Sequence, residues 1–171
     1  AVAKLTIVPA DTENFQINFD EFEAALNPNV QVVLINTPNN PSGAVYSADT
    51  LKRLAAILTA KQVEYGHDIF LISDEPYREI VFDGATQPYP ASFYANSLTI
   101  YSWSKSLSLP GERIGYVAVN PTATDADLLV PMMGQISRGT GHNCPPSSIQ
   151  LGEAKVIDET SDLSVYETNK N

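Results

Sequence analysis

The chain has 171 residues, of which 43% are hydrophobic and 18% are charged, and its formal net charge is −10. This length and balance are typical of one globular domain with a sizeable core, not of a disordered chain. The acidic charge argues against nucleic acid or an anionic membrane surface as a partner, because both need a basic face. A single cysteine, Cys144, excludes an intrachain disulfide and a multi-cysteine metal site, and the two histidines, His67 and His142, argue against a histidine-based metal centre. A reducing cytoplasm is the compartment that fits this cysteine usage.

Neither end of the sequence looks like a natural terminus. The chain begins at Ala1 and enters a predicted strand at once, and it stops inside a predicted helix. No secretory signal and no apolar run long enough to span a bilayer is recognisable. We therefore expect a fragment of a longer protein.

Strands and helices alternate along the chain. Short apolar runs predict strands at 3–8, 31–36, 69–73, 97–102 and 114–119. Helical spacing of apolar residues predicts a helix between Asn18 as N-cap and Pro28, and further helices at about 47–65, 123–137 and 146–169. Ser47 is the expected N-cap of the second helix, and Gly66 suits the position just after its end.

This alternation predicts one α/β domain of three layers, α/β/α, around a mainly parallel sheet. The segment between Ser102 and Ile114 is short and contains Pro110 and Gly111, which leaves little room for a helical crossover. The last strand is therefore expected to run antiparallel to its neighbour.

The residues with the most reactive side chains follow three of the predicted strands. Asn40 comes after strand 31–36, Asp74 after strand 69–73, and Lys105 after strand 97–102. In open α/β sheets, ligands bind beyond the carboxyl ends of the strands. We expect these side chains to meet at one edge of the sheet.

Four motifs occur in order along this part of the chain. They are Asn39-Asn40-Pro41-Ser42-Gly43, Asp74-Glu75-Pro76-Tyr77, Ser102-Trp103-Ser104-Lys105 and Gly111-Glu112-Arg113. Each motif alone is modest, but their order and the spacing from Lys105 to Arg113 are specific. Together they resemble the fold type I enzymes that use pyridoxal 5′-phosphate (PLP), and the class I/II aminotransferases in particular. The match runs from about Ile35 to Asn120 and continues more weakly to both ends.

This resemblance implies a role for each matching residue. Lys105 matches the lysine that holds PLP as a Schiff base and moves a proton during catalysis. Asp74 matches the carboxylate that keeps the pyridine nitrogen protonated. Asn40 and Tyr77 match the residues that hydrogen-bond the phenolic oxygen of the ring.

The remaining matches concern the phosphate. Ser102 and Arg113 match its ligands, and Ser104 adds a hydroxyl beside them. The fork of an arginine side chain suits a phosphate because it donates two parallel hydrogen bonds.

Simpler readings exist for several residues. Lys105 alone could be a solvated lysine at a strand end, and Asn40 could form a turn ahead of Pro41. Trp103 is expected to pack in the core, not to contact the cofactor. The His142-Asn143-Cys144 sequence reads as a loop ahead of a helix and not as a catalytic group. By resemblance, the Asn40–Pro41 peptide bond is a candidate for the cis form.

The resemblance implies a PLP-dependent transamination between an amino acid and a 2-oxo acid, carried out by a cytoplasmic homodimer, with no nucleic acid or membrane partner. Two alternatives stay open. Another PLP reaction, such as a C–S lyase or a decarboxylase reaction, would use the same cofactor residues. A non-catalytic effector-binding domain of a transcription regulator would use the same fold.

Members of the family are considerably longer than this chain. We expect it to cover most of the large cofactor-binding domain, with an N-terminal segment and a C-terminal small domain absent. By itself it is expected to be inactive, and its binding of PLP could be weak. By resemblance, strand 97–102 is predicted between 114–119 and 31–36, with 69–73 beyond 31–36. A four-stranded core is predicted, with residues 3–8 displaced, paired with another molecule, or moved inward to pair with 69–73.

Overall fold

The computed structural model describes residues 3–159 and 162–170. One sheet contains four strands: β1 (Val32–Asn36), β2 (Phe70–Asp74), β3 (Ser97–Ser102) and β4 (Gly115–Val119). Their order in the sheet is β1-β2-β3-β4. β1, β2 and β3 are parallel, and β4 runs antiparallel to β3. The α/β class, the four-stranded core and the antiparallel last strand are confirmed.

The helices follow the predicted signals at most of their ends. They are α1 (Phe19–Ala25), α2 (Ala48–Tyr65), α3 (Ala126–Gly139), α4 (Ser147–Val156) and α5 (Ser164–Asn169). The Ser47 hydroxyl caps α2 by accepting a hydrogen bond from the Thr50 amide at 3.0 Å. Gly66 ends the same helix with a φ of 71°, a left-handed conformation that glycine adopts without steric cost.

The predicted helical stretch at 146–169 is two helices instead of one. α4 ends at Val156, and residues 157–159 form a turn before α5 begins at Ser164. Residues 160 and 161 lie outside the described residues. The apolar spacing is compatible with one long helix, because apolar periodicity alone does not mark a break between two helices.

The strand predicted at 3–8 is wrong. Within the described residues, this segment pairs with no strand, and the side chains of Leu5 and Ile7 are 79% and 80% exposed. An apolar run becomes a strand only where a neighbouring strand takes up its backbone hydrogen bonds. Residues 3–8 are therefore displaced from the sheet, and they do not pair with β2.

The predicted order of the inner strands is also wrong. β2 lies between β1 and β3, and β1 and β4 are the edge strands of the described sheet. The order of strands depends on long-range packing, which apolar periodicity does not encode. This order places Asp74, at the end of β2, next to the end of β3.

The core lies on one face of the sheet. Leu51, Leu54 and Leu58 of α2 are almost fully buried, and they pack with Ile35 of β1 and Leu71 of β2. Along each strand, successive side chains point to opposite faces of the sheet, so the neighbours of Ile35 and Leu71 point away from α2. On that face, Val32 and Leu34 of β1 are 49% and 64% exposed. Among the described residues, no helix has the length and apolarity that a membrane span requires.

Candidate active site

The carboxyl ends of three neighbouring strands deliver the predicted residues to one edge of the sheet. Asn36 at the end of β1 pairs in register with Asp74 at the end of β2. Asp74 pairs with Ile100, two residues before Ser102 at the end of β3. Because side chains alternate along a strand, Asp74 and Ser102 project from the same face.

Tyr77 lies next to two of the other predicted residues, Asn40 and Lys105. The Asn40 side-chain amide donates a hydrogen bond of 3.2 Å to the Tyr77 hydroxyl. The Nζ atom of Lys105 lies 5.5 Å from the centre of the Tyr77 ring. Tyr77 thus stands between the amine and the amide, although the three residues come from three separate loops.

Asn36 holds the loop that carries Asn40, and the sequence patterns did not single it out. Its side-chain oxygen accepts a hydrogen bond of 2.8 Å from the main-chain N–H of Asn40. Its side-chain nitrogen donates one of 2.9 Å to the main-chain carbonyl of Asp74. Asn36 therefore ties this loop to the end of β2. The only available signal was a polar residue at the end of an otherwise apolar run.

Two proline peptide bonds in this loop are cis. The Asn40–Pro41 bond is cis, which confirms the prediction made by resemblance. The Thr37–Pro38 bond is cis as well, and it was not predicted.

The Asp74 carboxylate is half-buried at the end of β2. Burial raises its pKa above the ordinary value for aspartate. Within residues 3–159 and 162–170, its carboxylate oxygens have no hydrogen-bonding or ion-pair partner. Such a carboxylate gains most from a ligand that offers a positively charged N–H group.

Lys105 sits in a tight turn directly after β3. The Ser108 amide donates to the Lys105 carbonyl at 3.2 Å, and Ser108 has a φ of 54°, in the left-handed region. The hydroxyl of Tyr166 on α5 donates to the same carbonyl at 2.9 Å. Sequence reasoning missed Tyr166, because it lies far along the chain and in no motif.

The residues predicted to bind the phosphate make fewer hydrogen bonds with one another. The Ser102 hydroxyl accepts a hydrogen bond of 3.4 Å from the Ser104 amide. Arg113 is exposed, has a φ of 53°, and donates from Nη1 to the Pro110 carbonyl at 2.7 Å. In the described part of the chain, Arg113 makes no hydrogen bond with Ser102, Ser104 or Lys105.

Gly115 allows the strand that follows Arg113 to approach the end of β3. It is the register partner of Ser102. A Cβ atom at this position would lie 2.4 Å from the Tyr101 carbonyl oxygen and 3.0 Å from the Ser102 Cβ. A glycine inside a strand is the sequence signal for such an approach.

Neither Glu75 nor His142 takes part in the contacts that join Asn40, Tyr77 and Lys105. Glu75 is fully buried and forms an ion pair with Arg78. The Arg78 guanidinium in turn lies 4.8 Å from the centre of the Tyr89 ring. His142 and Cys144 lie in a loop between α3 and α4, as expected, and Cys144 is exposed.

Comparison with known proteins identifies the family. The family model described as aminotransferase class I and II matches residues 1–163. The chain belongs to this family. An aromatic-amino-acid aminotransferase 2 of Thermococcus litoralis is 30% identical over 168 residues, which are 95% of this chain and 40% of that protein. A probable aspartate/prephenate aminotransferase of Aquifex aeolicus is 40% identical over 116 residues, 65% of this chain and 28% of that protein.

Solved structures of the family share the fold. The crystal structure of an amino transferase from Eubacterium rectale is 49% identical and superimposes with a TM-score of 0.90, over 95% of this chain and 41% of that one. The chain thus spans about 40% of the length of the aminotransferases that it matches most fully. Membership of the aminotransferase family implies PLP as the cofactor.

Proposed function

We propose that this chain is the cofactor-binding part of a PLP-dependent aminotransferase that exchanges an amino group between an amino acid and a 2-oxo acid. The observation that carries the proposal is the grouping of Lys105, Tyr77 and Asn40 beside the end of β2, where Asp74 lies. The names of the relatives support transamination over a lyase or a decarboxylase reaction, since those compared are aminotransferases.

The donors and acceptors present at this edge fit PLP. An exposed amine, Lys105, is available for a covalent bond to an aldehyde. A carboxylate whose pKa is raised by burial, Asp74, is suited to a protonated ring nitrogen. The amide and phenol of Asn40 and Tyr77 form a hydrogen-bonded pair that suits a phenolic oxygen.

Phosphate binding is assigned to the ends of β3 and β4. Ser102, Ser104 and Arg113 would supply two hydroxyl groups and a guanidinium. The present bond from Arg113 to the Pro110 carbonyl occupies one side of the guanidinium, Nη1, and leaves its other donors to a phosphate.

Bound PLP withdraws electrons from the substrate α-carbon, so that the bond to its proton weakens. Lys105 would then act in two ways, because its amine first anchors the cofactor and afterwards, once displaced by the substrate, carries a proton at Nζ. Asp74 would hold the positive charge on the ring nitrogen. Asn40 and Tyr77 would orient the ring by holding its oxygen.

The compartment, the oligomeric state and the substrate concern the whole protein. We propose a cytoplasmic enzyme and a homodimer on the strength of the family resemblance. The names of the relatives cover more than one amino acid substrate, because they include an aromatic-amino-acid and a probable aspartate/prephenate aminotransferase. We expect no transamination by the 171-residue chain alone, because it spans only about 40% of its relatives.

The proposal is tested on the whole protein that carries this chain. Lys105→Ala is expected to abolish both transamination and the visible absorption of bound PLP, whereas Lys52→Ala is expected to leave both unchanged. Lys52 is a suitable control because it is exposed on α2 and pairs with Asp49. Full activity of Lys105→Ala would contradict the proposal, and so would formation of ammonia and pyruvate in place of a transaminated product.

A further inference from the structure

A cavity borders the Lys105 turn, and none of the residues assigned to PLP lines it. It has a volume of about 190 Å³, lies between the ends of β3 and β4 and helix α4, and opens to solvent on one side. Trp103, Ser106 and Leu107 of the turn form part of its wall. This inference does not depend on the proposed function.

Three aromatic rings line this cavity. The ring centres of Tyr101 and Trp103 are 5.5 Å apart, those of Tyr101 and Tyr116 are 5.3 Å apart, and those of Trp103 and Tyr116 are 5.6 Å apart. Trp103 therefore packs on its neighbours, as the sequence suggested, and it also presents surface to the cavity. Aromatic faces attract positive charge.

The charged residues that line the cavity all have the same sign. The nearest cation, Arg78, interacts with Tyr101 and Tyr116 from outside the lining, and its own charge is paired with Glu75. Glu79, Glu153 and Glu159 line the cavity, and none of the described residues in its wall is a lysine, arginine or histidine. Tyr101 fixes one of these carboxylates, because its hydroxyl donates a hydrogen bond of 3.0 Å to Glu79. The Tyr101 hydroxyl also lies 2.8 Å from that of Ser106, so both groups are held in place.

Glu153 is the unusual member of this group. Only 7% of it is exposed, and its Oε2 atom is buried without a hydrogen-bond partner among the described residues. Burial raises the pKa of this carboxyl group. A buried carboxylate without a partner is unfavourable, so a cation in the cavity would remove a cost that the chain otherwise bears.

We propose that the cavity binds a small organic cation that carries an alkylammonium or guanidinium group. Such a group satisfies aromatic faces and carboxylates together, which an anion or a neutral apolar molecule does not. A bare metal ion fits less well, because no three His, Cys, Asp or Glu side chains group as a metal site within residues 3–159 and 162–170.

Trp103 gives a direct test, because it is the only tryptophan of the 171-residue chain. Tetramethylammonium chloride and methylguanidinium chloride are titrated separately while Trp103 fluorescence is followed. Sodium chloride at equal ionic strength controls for salt, and tert-butanol is a neutral molecule of the shape of tetramethylammonium. A saturable change with at least one organic cation, absent with both controls, is the expected result.

Variants assign the binding to this cavity. Glu153→Gln and Tyr116→Leu are each expected to weaken binding by about tenfold, because each removes one attraction for the cation. Glu159 is exposed, so Glu159→Gln is expected to fold normally. This variant is expected to weaken binding by about threefold. Glu13→Gln, on an exposed carboxylate elsewhere, is expected to change nothing. No saturable change, an equal change with tert-butanol or sodium chloride, or unaltered binding in folded Glu153→Gln and Glu159→Gln would overturn the proposal.

Discussion

The hydroxyl of Tyr166 donates a hydrogen bond of 2.9 Å to the main-chain carbonyl of Lys105. It lies 3.0 Å from the Ser108 hydroxyl as well, so one side chain of α5 contacts both ends of the Lys105 turn. A second contact joins the same helix region to the loop after Tyr77, where Lys170 pairs with Asp83 at 2.6 Å. The segment that contains α5 thus connects the loops that carry Lys105 and Tyr77.

Tyr166→Phe is expected to loosen the Lys105 turn without unfolding the chain. It removes two hydrogen bonds, to the Lys105 carbonyl and to the Ser108 hydroxyl, each of which contributes about 1 kcal/mol net. Hydrogen exchange checks this directly, because the Ser108 amide bonds to the Lys105 carbonyl. Faster exchange at Ser108, with unchanged exchange in β2, is the predicted result. Equal exchange in the variant and the parent chain would show that Tyr166 does not hold the turn.

Gly115→Ala is expected to disturb the end of β3. The added methyl group would meet the Tyr101 carbonyl at 2.4 Å, so the two strands must move apart beside Ser102. Overpacking of this kind costs about 1–3 kcal/mol. Urea denaturation measures the loss in free energy of unfolding.

Gly134→Ala is the matched control for that substitution. Gly134 lies inside α3, and no atom stands within 4 Å of the position of its added Cβ. Alanine in a helix is favoured over glycine by about 0.5–1 kcal/mol, so this variant is expected to be more stable. Equal effects of the two substitutions would contradict the close approach at Gly115.

Asp74→Asn is expected to stabilise the chain in the absence of cofactor. Burial raises the pKa of Asp74 in the folded state above its unfolded value. Between these two values the folded state holds more protons, so the free energy of unfolding falls as pH rises through that window. Asparagine removes this loss, and the variant should be the more stable chain above the window and show a flatter pH dependence across it.

Urea denaturation at a series of acidic and neutral pH values tests the Asp74 prediction. Asp158→Asn, on an exposed carboxylate outside the site, serves as the control. In the whole protein, Asp74→Asn should weaken the binding of PLP although it stabilises the chain. A variant that is less stable at neutral pH would show that Asp74 contributes to folding and not to ligand binding alone.

Asn40 and Tyr77 are expected to act together on the cofactor. Asn40→Ala and Tyr77→Phe should each lower the affinity of the whole protein for PLP. Because the Asn40 amide donates to the Tyr77 hydroxyl, the double variant should lose less than the sum of the two, by about 0.5–1.5 kcal/mol. Strictly additive losses, measured by titration with PLP, would mean that the two residues act independently.

The sequence predicted local features well, since local features depend on nearby residues. The caps at Ser47 and Gly66 and the apolar strands follow from hydrogen bonding and side-chain periodicity, and the structure has them. The strand at 3–8 failed because an apolar run does not state whether a neighbour is there to pair with it. The strand order failed because it depends on long-range packing.

The same distinction applies to the site. Lys105, Asp74, Asn40 and Tyr77 stand in motifs, so their proximity could be anticipated. Asn36 and Tyr166 bind the main chain of these residues, and Gly115 lies against the main chain of Tyr101 and Ser102. Contacts with the main chain do not require a particular residue type in the partner, so sequence motifs do not reveal them. Tyr166 in particular reaches Lys105 from the far end of the chain.

Covalent labelling tests the role of Lys105 most directly. The whole protein is loaded with PLP and reduced with borohydride, and the labelled lysine is located by peptide mass spectrometry. The label is predicted on Lys105, with none on Lys52 or Lys61, and none is expected in Lys105→Ala at the same PLP concentration. A label on another lysine of the native protein, with Lys105 unmodified, would contradict the assignment of Lys105 as the cofactor-binding residue.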